Sequence, residues 1–504
     1  MSNKKEFILK PGNLQLDDLR YLMHGGYNLV LDSECIDKIA ASRYFLEHEI
    51  NKGNKIYGVN TGFGLLANKT IEKEDLTKLQ HNLIVSHATG VGQYLIPEIV
   101  RIILILKINC LSMGYSGVRL GTILELIDLY NQDIIPCIPE KGSVGASGDL
   151  APLAHLVSPL IGYGNVYYQS QMINAEEWLK MTNKNIYKFE AKEGLALLNG
   201  TQVTTALAIY SVLQLDQLFA CAIHTGAMSV DAASGNKKSF VDLISIVRNQ
   251  PGQIKVAAQL YDLLSDSQFV NAHDNACCPK VQDPYSLRCQ PQVMGACLQQ
   301  IEFATSIIAN EINAVTDNPL IFAATETILF GGNFHAEPIG FAVDNLALAI
   351  AEIGSISERR IALLLDTNFS GLPTFLVKNS GLNSGFMIAQ VTAASLVSEN
   401  KALSTPCVVD SIPTSANQED HVSMATYGAR RLITMIENAF VILAIELLSA
   451  AQGIELRRPH QSSVRLEKII SALRCKVDFY EHDRYFHTDI VSAIAFVKHY
   501  DYND

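Results

Sequence analysis

The chain has 504 residues, of which 48% are hydrophobic and 18% are charged, and its formal net charge at pH 7 is −12. This length and apolar content allow two or three domains or one large helical body, and they argue against disorder. The acidic balance argues against a nucleic-acid partner and fits a protein that uses small ligands.

The sequence carries no pattern of secretion, metal binding or membrane insertion. The basic residues of the opening MSNKKEFILKPG precede no apolar stretch, so the ten cysteines are expected to be reduced thiols in the cytoplasm. No zinc site is predicted, because Cys277 and Cys278 are adjacent and neither C-x-x-C nor H-E-x-x-H occurs. No membrane span is predicted, because Glu446 interrupts the most apolar stretch, Ala439–Gln452.

The N-terminal part of the chain alternates short elements with loops. The apolar pattern predicts short helices between Leu16 and Asn51, then a short strand in KIYGVNTGFGLLA (55–67) that breaks into a glycine loop. Helical periodicity resumes at Leu76 and continues through residue 114. Gly162–Asn174 alternates in the manner of a small β insert.

Beyond Gly194 long helical patterns dominate the chain. Three of them, residues 299–315, 341–365 and 422–454, exceed the average helix length. We predict a mainly α protein with a long-helix bundle over residues 111–504 and a smaller mixed N-terminal domain over residues 1–110. Helices that are apolar on more than one face also favour burial between subunits, and hence a homo-oligomer.

The segment GSVGASGDLAP, Gly142–Pro152, is a loop of small residues that leads into a predicted buried helix. A helix N-terminus presents free N–H groups and the positive end of its dipole, so this loop suits negative charge. The glycine spacing does not match a phosphate-binding loop, a dinucleotide-binding loop or a nucleophile elbow. Taken alone, the stretch is explained equally well as a turn before a core helix.

Further loops gather polar side chains beside glycine or proline. Each has a structural alternative, such as a packed tyrosine, a structural histidine or an internal salt bridge of the arginine. Together they suggest one site assembled from distant segments. The residues are Tyr57 in YGVNTGFG, Ser86 and His87, Asn199 in LLNGTQ, Gln282, Tyr285 and Arg288 in VQDPYSLRCQPQ, Phe334 and His335 in FGGNFHAEP, and Asn417, Gln418, Glu419, Asp420 and His421 in SANQEDHVSMA.

These strings resemble those of the aromatic amino acid ammonia-lyase family, whose fold belongs to the fumarase/aspartase-like superfamily. The match spans Leu9 to Ile490 in the family's order and includes YGVNTGFG, GSVGASGDLAPL, EGLALLNGTQ, QDPYSLRCQPQ, TDNPL, GGNFH and SANQEDHVSM. The resemblance implies that Ala146, Ser147 and Gly148 cyclise autocatalytically into 4-methylidene-imidazol-5-one, without an external cofactor. Small residues suit this reaction, because the Gly148 nitrogen must attack the Ala146 carbonyl in a tight conformation before Ser147 loses its hydroxyl as water.

The implied reaction is the non-oxidative elimination of ammonia, catalysed by a carbon–nitrogen lyase. The substrate amine adds to the methylidene group, and a base removes the β-proton. By resemblance Tyr57 is the base, which requires a depressed pKa, and Arg288 holds the substrate carboxylate. The implied catalytic residues are Tyr57, Ala146, Ser147, Gly148, Tyr285 and Glu419, and the implied substrate-binding residues are His87, Asn199, Gln282, Arg288 and Phe334, with no metal.

Two pairs of residues favour L-histidine as the substrate and trans-urocanate as the product, which is the first step of histidine degradation. Relatives that act on phenylalanine or tyrosine usually carry Phe-Leu or His-Leu in place of Ser86-His87, and glutamine in place of Glu419. A carboxylate and a histidine both pair with an imidazole, whereas a phenyl ring leaves them unpaired. Ala336 stands where histidine-acting members commonly have glycine, a departure that bears on substrate range only.

Alternatives within and outside the family stay open. A phenylalanine or tyrosine lyase or a 2,3-aminomutase shares the prosthetic group, and a non-catalytic helical scaffold shares the fold but has no need for Tyr57, Ala146–Gly148 and Arg288. The fumarase-type signature S-S-x-M-P-x-K-x-N does not occur in the sequence. The resemblance also implies a homotetramer with each active site built from three subunits, a small-molecule substrate, and neither a nucleic-acid nor a membrane partner.

Overall fold

The computed structural model describes residues 4–62, 64, 68–271 and 282–502. The chain forms two compact units. Unit 1 comprises Met1–Ser211, Thr305–Asp344 and Pro406–Arg430, and unit 2 comprises Val212–Ala304, Asn345–Thr405 and Arg431–Asp504. These units group the chain differently from the two domains expected from the sequence, whose boundary after residue 110 stays a prediction.

Helices dominate both units, and the fold is mainly α with long helices, as predicted. The longest three span 29 to 31 residues each. In chain order the helices are α1 (Leu16–Leu22), α2 (Ile36–Asn51), α3 (Leu76–His87), α4 (Pro97–Ser112), α5 (Leu120–Asn131), α6 (Leu150–Val157), α7 (Ala175–Met181), α8 (Glu193–Leu198), α9 (Gln202–Ala232), α10 (Asp242–Arg248), α11 (Pro251–Leu263), α12 (Gln268–Asn271), α13 (Tyr285–Arg288), α14 (Gln290–Ile312), α15 (Glu337–Leu365), α16 (Thr367–Ser370), α17 (Met387–Leu403), α18 (Ala425–Glu455), α19 (Val464–Arg474) and α20 (His487–His499).

The strands of the described residues are short and lie in unit 1. They form a parallel pair, β1 with β2, two antiparallel pairs, β3 with β5 and β8 with β9, and an antiparallel sheet in the order β4-β6-β7. Their bounds are β1 (Lys5–Leu9), β2 (Tyr27–Leu31), β3 (Val91–Tyr94), β4 (Ile135–Pro136), β5 (Pro139–Lys141), β6 (Asn165–Tyr168), β7 (Gln171–Asn174), β8 (Leu320–Phe322) and β9 (Thr327–Leu329).

The strand predicted at residues 55–67 is wrong over its described part, which forms turns up to an isolated bridge at Thr61. Side chains there accept hydrogen bonds from the local backbone N–H groups, which would otherwise be available to a neighbouring strand. Asn60 Oδ1 accepts the Ile56 N–H (2.8 Å), and Thr61 Oγ1 accepts the Gly58 N–H (3.1 Å). Such local hydrogen bonds compete with extended structure. The β insert predicted at 162–174 is confirmed by β6 and β7.

The core of unit 1 is organised around α4. Every residue of α4 from Ile99 to Ser112 is buried except Arg101, and this includes the polar side chains of Lys107 and Asn109. A helix that is apolar on all sides fits a position inside the protein rather than at its surface. The polar groups that it carries must therefore find partners within unit 1.

Three helices, α9, α15 and α18, are long and apolar enough to cross a membrane by length and composition alone. This criterion tests composition and not insertion, so the absence of a membrane span stays a prediction. In the folded chain 67% to 72% of their most apolar windows is buried within the protein. Their apolar side chains are thus used mainly in packing.

The bundle of unit 2 contains a fully buried ion pair. Arg360 Nε lies 2.5 Å from Glu446 Oε1, and its Nη2 lies 2.9 Å from Oε2. Ser229 Oγ donates to Oε1 (2.7 Å) and Ser357 Oγ to Oε2 (2.6 Å). Thr225 Oγ1 also donates to Oε2 (3.2 Å), so the carboxylate that interrupts the apolar stretch 439–452 has five polar contacts here in place of water.

We expect Glu446→Gln to lower the free energy of unfolding by about 3–5 kcal/mol, because Arg360 would keep its charge without a counterion. The measurement is the thermal unfolding midpoint of the purified chain. Glu437→Gln is the matched control, since Glu437 is half exposed and paired with Lys498, and such surface pairs contribute about 0–1 kcal/mol. Equal melting of the parent and Glu446→Gln would contradict the expectation.

Candidate active site

The loop between β5 and α6 carries the Ala-Ser-Gly tripeptide, Ala146–Gly148, and is anchored just before it. The Gly145 carbonyl accepts hydrogen bonds from Ser423 Oγ (2.9 Å) and from the Ala336 N–H (3.2 Å). Gly145 has φ +64°, and an added Cβ would lie 2.5 Å from Ser423 Oγ. Only glycine fits this position without displacing that anchor.

On its other side the tripeptide lies against Gly200. Gly148 is buried with φ +76°, and a Cβ added to it would overlap the peptide atoms of Gly200. The next residue, Asp149, donates its N–H to the Gly200 carbonyl (2.8 Å). The junction between α8 and α9 therefore forms a wall behind the tripeptide, and glycine is required at 148 for this approach.

Between these anchors, three groups of the tripeptide form no hydrogen bond with any described residue. They are the Ala146 carbonyl, the Ser147 hydroxyl and the Gly148 N–H. The loop is therefore fixed at both ends while its centre keeps the carbonyl, hydroxyl and nitrogen that a backbone condensation uses. Helix α6 begins immediately afterwards, at Leu150, as the sequence predicts.

Asp149 is the hub that fixes this loop to two long helices. Its fully buried carboxylate accepts from Ser143 Oγ (2.9 Å), from the Thr204 N–H and Oγ1 (both 2.7 Å) and from Thr426 Oγ1 (2.9 Å). Burial raises the pKa of Asp149, and these donors oppose the rise. The carboxylate thus links the loop to the first turns of α9 and α18.

Asn199 follows the last residue of α8, where the sequence predicts an interrupted helix, and it precedes Gly200. Its Nδ2 donates to the Asn318 carbonyl (3.2 Å), while its Oδ1 is buried without a partner among the described residues. Only 4% of Asn199 is exposed. A buried acceptor in this state suits an N–H group of a bound ligand.

His87 ends α3 in a defined tautomer. Its Nδ1 lies 2.7 Å from the Leu83 carbonyl, which only accepts, so Nδ1 carries the hydrogen and Nε2 of the neutral ring is an acceptor. Ser86 Oγ lies 3.0 Å from the same Nδ1. Burial lowers the pKa of His87, and the neighbouring charge of Glu419 partly offsets this. His87 and Glu419, both predicted to recognise the substrate, are therefore electrostatic neighbours.

The chain after His87 is attached to the tripeptide loop. Strand β3 pairs with β5, which leads directly into that loop. The Gly90 N–H donates to His155 Nε2 (3.0 Å) on α6, the helix that follows it. The end of α3 is thus tied to both sides of the loop.

Two further loops of unit 1 contact each other beside the tripeptide. The rings of His335 and His421 stack at 5.9 Å, and His335 Nε2 donates to the His421 carbonyl (3.1 Å). Phe334 is half-buried in the first loop. Within the polar run 417–421 only Glu419 is partly buried, and its Oε2 accepts from Thr414 Oγ1 (2.6 Å).

Tyr57 lies in a turn of unit 1 and is half-buried. Its phenol oxygen accepts the Gly64 N–H at 3.1 Å. An N–H donor at that oxygen stabilises negative charge on it. This environment suits a tyrosine that acts as a base.

Gln282, Tyr285 and Arg288 belong to unit 2. The Arg288 guanidinium lies 4.7 Å from the centre of the Tyr285 ring, and its Nε donates to the Asp283 carbonyl (2.9 Å). The predicted shared helix face is confirmed by α13. Arg288 forms no ion pair with any described residue, so the internal salt bridge considered above is not found there. A guanidinium held in this way suits a carboxylate ligand.

In unit 1 the tripeptide loop directly contacts Gly200, the neighbour of Asn199, and Ala336 in the loop of Phe334. Sequence reasoning missed the residues that support them, namely Ser143, Asp149, Thr204, Ser423 and Thr426. The available signal was the string GSVGASGD itself, in which Ser143 and Asp149 flank the tripeptide.

The described part of the chain contains no group of three or more His, Cys, Asp and Glu side chains arranged to hold a metal ion. Cys277 and Cys278 lie outside that part. The described cysteines form no disulfide.

Comparison with known proteins assigns the family. The profile of the aromatic amino acid lyase family matches residues 14–475. The histidine ammonia-lyase of Vibrio vulnificus (strain CMCP6) is 54% identical over 491 residues, which cover 97% of this chain and 95% of that protein. The histidine ammonia-lyase of Idiomarina loihiensis is 52% identical over 492 residues, which cover 98% and 96%.

Solved structures support the same family. Histidine ammonia-lyase from Trypanosoma cruzi superposes with a TM-score of 0.89 at 40% identity, covering 98% of this chain and 93% of that one. Phenylalanine aminomutase from Pantoea agglomerans superposes with a TM-score of 0.91 at 30% identity, covering 98% and 99%. The chain therefore belongs to the aromatic amino acid lyase family and is an ammonia-lyase, a carbon–nitrogen lyase.

Proposed function

We propose that this chain eliminates ammonia from L-histidine to give trans-urocanate, the first step of histidine degradation, in the cytoplasm. The observation that carries the proposal is the Ala-Ser-Gly tripeptide, anchored at Gly145 and Asp149 while its own reactive groups have no hydrogen bonds in the described structure. The names of the relatives support histidine as the substrate.

The residues fit a 4-methylidene-imidazol-5-one group closed from Ala146, Ser147 and Gly148. A bond forms between the Gly148 nitrogen and the Ala146 carbonyl carbon, the carbonyl oxygen leaves as water, and the Ser147 hydroxyl leaves as a second water. The positive φ of Gly148 and its contact with Gly200 keep the segment tightly bent, as this closure requires. The ring supplies an electrophile that no standard side chain offers.

Four side chains surround the amino acid end of the substrate. Arg288 pairs with the carboxylate, because its guanidinium is fixed through Nε and the Tyr285 ring. Asn199 Oδ1 accepts an N–H of the amine, which satisfies an otherwise unpartnered buried acceptor. Gln282 and Tyr285 line the amine end, and Phe334 packs near the tripeptide.

The imidazole end is recognised by His87 and Glu419. His87 Nε2 accepts the ring N–H of the substrate, since Nδ1 is occupied by the Leu83 carbonyl. Glu419 offers a second acceptor to the other ring nitrogen, so one proton is shared between that nitrogen and the carboxylate. A phenyl or phenol ring leaves both groups without this pairing.

Tyr57 removes the β-proton of the substrate. The Gly64 N–H stabilises the phenolate that accepts this proton. Glu419, on the imidazole side, keeps the substrate ring in the protonation state in which it binds. The two roles are separate, because Tyr57 acts at the side-chain carbon and Glu419 at the ring.

The active protein is proposed to be a homotetramer whose sites each combine loops from three subunits. The tripeptide and Tyr57 belong to unit 1, whereas Arg288 belongs to unit 2. Such a division of one site among subunits accounts for candidate residues spread over most of the chain.

A 2,3-aminomutase is the second candidate, favoured by the fold shared with the Pantoea enzyme. The same tripeptide would serve it, and only the fate of the ammonia differs.

The first prediction concerns substrate and product. Purified protein given L-histidine is expected to release trans-urocanate, detected by its ultraviolet absorbance, and to leave L-phenylalanine and L-tyrosine unchanged. Ser147→Ala is expected to reduce release to the level without enzyme, because no electrophile forms. Ser395→Ala, which alters an exposed serine of α17, is the control and keeps full activity.

Other products would contradict L-histidine as the substrate or trans-urocanate as the product. Cinnamate or coumarate would contradict the roles given to His87 and Glu419. A β-amino acid in place of urocanate would favour the aminomutase, and no reaction with any substrate would favour a scaffold.

The second prediction concerns ring recognition. His87→Leu removes one acceptor at a cost of about 1–3 kcal/mol, so kcat/KM for histidine falls roughly 5- to 150-fold. The control is His81→Leu on the same helix, because His81 packs edge-on to Tyr163 instead. The role is excluded if both variants change kcat/KM to the same extent.

The third prediction concerns shared sites. Tyr57→Phe chains and Arg288→Ala chains are each expected to be inactive alone. Mixing them during refolding restores part of the activity when one site takes these residues from different subunits. Failure of all mixing ratios to restore activity would count against sites of this kind.

A further inference from the structure

Lys107 is a fully buried lysine of α4 whose ammonium reaches the backbone behind the tripeptide. Its Nζ donates to the Ala196 carbonyl (2.9 Å) and to the Asn199 carbonyl (2.6 Å). These carbonyls belong to the last turn of α8 and to the residue that ends it. Exposed carbonyls at a helix C-terminus carry partial negative charge, so a cation stabilises them.

The peptide held by Lys107 is the one that supports the catalytic loop. Asn199 is followed by Gly200, whose carbonyl accepts the Asp149 N–H (2.8 Å) and whose backbone contacts Gly148. If Asn199 moved, the adjoining Gly200 peptide, which contacts the tripeptide, would therefore move with it. Between Lys107 Nζ and Gly148, only the backbone atoms of Asn199 and Gly200 intervene.

Charged and titratable groups surround Lys107 without pairing with it. They are Lys192 and Asp317, joined to each other at 2.6 Å, together with Cys110 and Asp149. Lys107 forms no ion pair with any described residue, and burial lowers its pKa to about 8. A buried ammonium that forms no ion pair is costly, and the two carbonyls that accept from Lys107 are the contacts that offset this cost.

The same pocket also fixes the side chain of Asn199. Asp317 Oδ1 accepts the Asn318 N–H (2.7 Å), and the Asn318 carbonyl accepts Asn199 Nδ2 (3.2 Å). Asn199 is thus clamped at its backbone by Lys107 and at its amide by Asn318. Both clamps leave the Oδ1 acceptor in place.

We propose that Lys107 is a positioning residue that fixes the Asn199–Gly200 peptide against Gly148 and so sets the conformation from which the tripeptide closes its ring. This inference rests on the proposed ring. Without the ammonium, two buried carbonyls lose their donor, the Asn199–Gly200 peptide relaxes, and Gly148 loses the support that keeps the tripeptide in its bent conformation.

The test is ring closure itself, read by intact mass and independent of turnover. Closure lowers the mass of the chain by two waters. Lys107→Met keeps the length of the side chain but removes its donors, and we expect closure to slow roughly 100-fold, leaving most fresh chains at the unclosed mass. Lys107→Arg keeps charge and donors and is expected to restore closure above the level of Lys107→Met.

The matched control is Asn109→Leu, two residues further along α4. Asn109 is equally buried, but its side chain donates to the Ile312 carbonyl (2.9 Å) and accepts the Gly12 N–H (3.1 Å), away from Asn199. This variant is expected to melt at a lower temperature and yet to close its ring completely. In the urocanate assay, the kcat of each Lys107 variant is expected to fall with its closed fraction.

The outcomes separate the two proposals. Complete closure in Lys107→Met would overturn the inference while leaving the proposed function intact. Equal loss of closure in Asn109→Leu would also overturn it, because the effect would then follow stability. A parent chain that shows no mass loss would overturn the proposed function and this inference together. If Lys107→Met is insoluble, Lys107→Gln, which has an uncharged amide donor, is measured in its place. Its closed fraction is expected to lie below that of Lys107→Arg, and complete closure would overturn the inference.

Discussion

The contact between Gly148 and Gly200 is the constraint on which the rest of unit 1 depends. Two backbone segments approach so closely that a single Cβ on Gly148 would overlap the other segment, and the Asp149 N–H seals the contact with a hydrogen bond to Gly200. Backbone groups in such close contact have little freedom to adjust, so each segment needs other residues to fix its position. Asp149 holds one segment through the hydroxyls of α9 and α18, and Lys107 holds the other through its carbonyls.

Buried charge is used in two different ways in this protein. In unit 2, Arg360 and Glu446 satisfy each other with the help of serine and threonine hydroxyls, and the pair is structural. In unit 1, Lys107 donates to two carbonyls and forms no ion pair with a carboxylate of the described residues. Glu446 neutralises the buried charge of Arg360, whereas Lys107 holds backbone carbonyls that lie beside the tripeptide. The buried charge in unit 2 is therefore structural, whereas the buried charge of Lys107 lies beside the tripeptide.

The sequence predicted the long helices well, because helical periodicity persists over many residues at residues 299–315, 341–365 and 422–454. It failed at residues 55–62, where hydrogen bonds from Asn60 and Thr61 override an apolar run that reads as a strand. The tripeptide was found from its string, but its support was not. Lys107 sits in a run of isoleucines and leucines, and only contacts some 90 residues distant reveal what its ammonium does.

Ala336 shows how a departure in sequence can act on the loop instead of the substrate. Its N–H donates to the Gly145 carbonyl, and a backbone donor is the same in alanine and glycine. Its methyl group is fully buried and would lie 3.3 Å from a Cβ at Gly145, so it packs on the loop that carries the tripeptide. Alanine also has fewer unfolded conformations than glycine, which favours the folded loop. The extra methyl therefore stiffens the N-terminal anchor of the tripeptide, while the groups that recognise the imidazole, His87 and Glu419, lie on other elements.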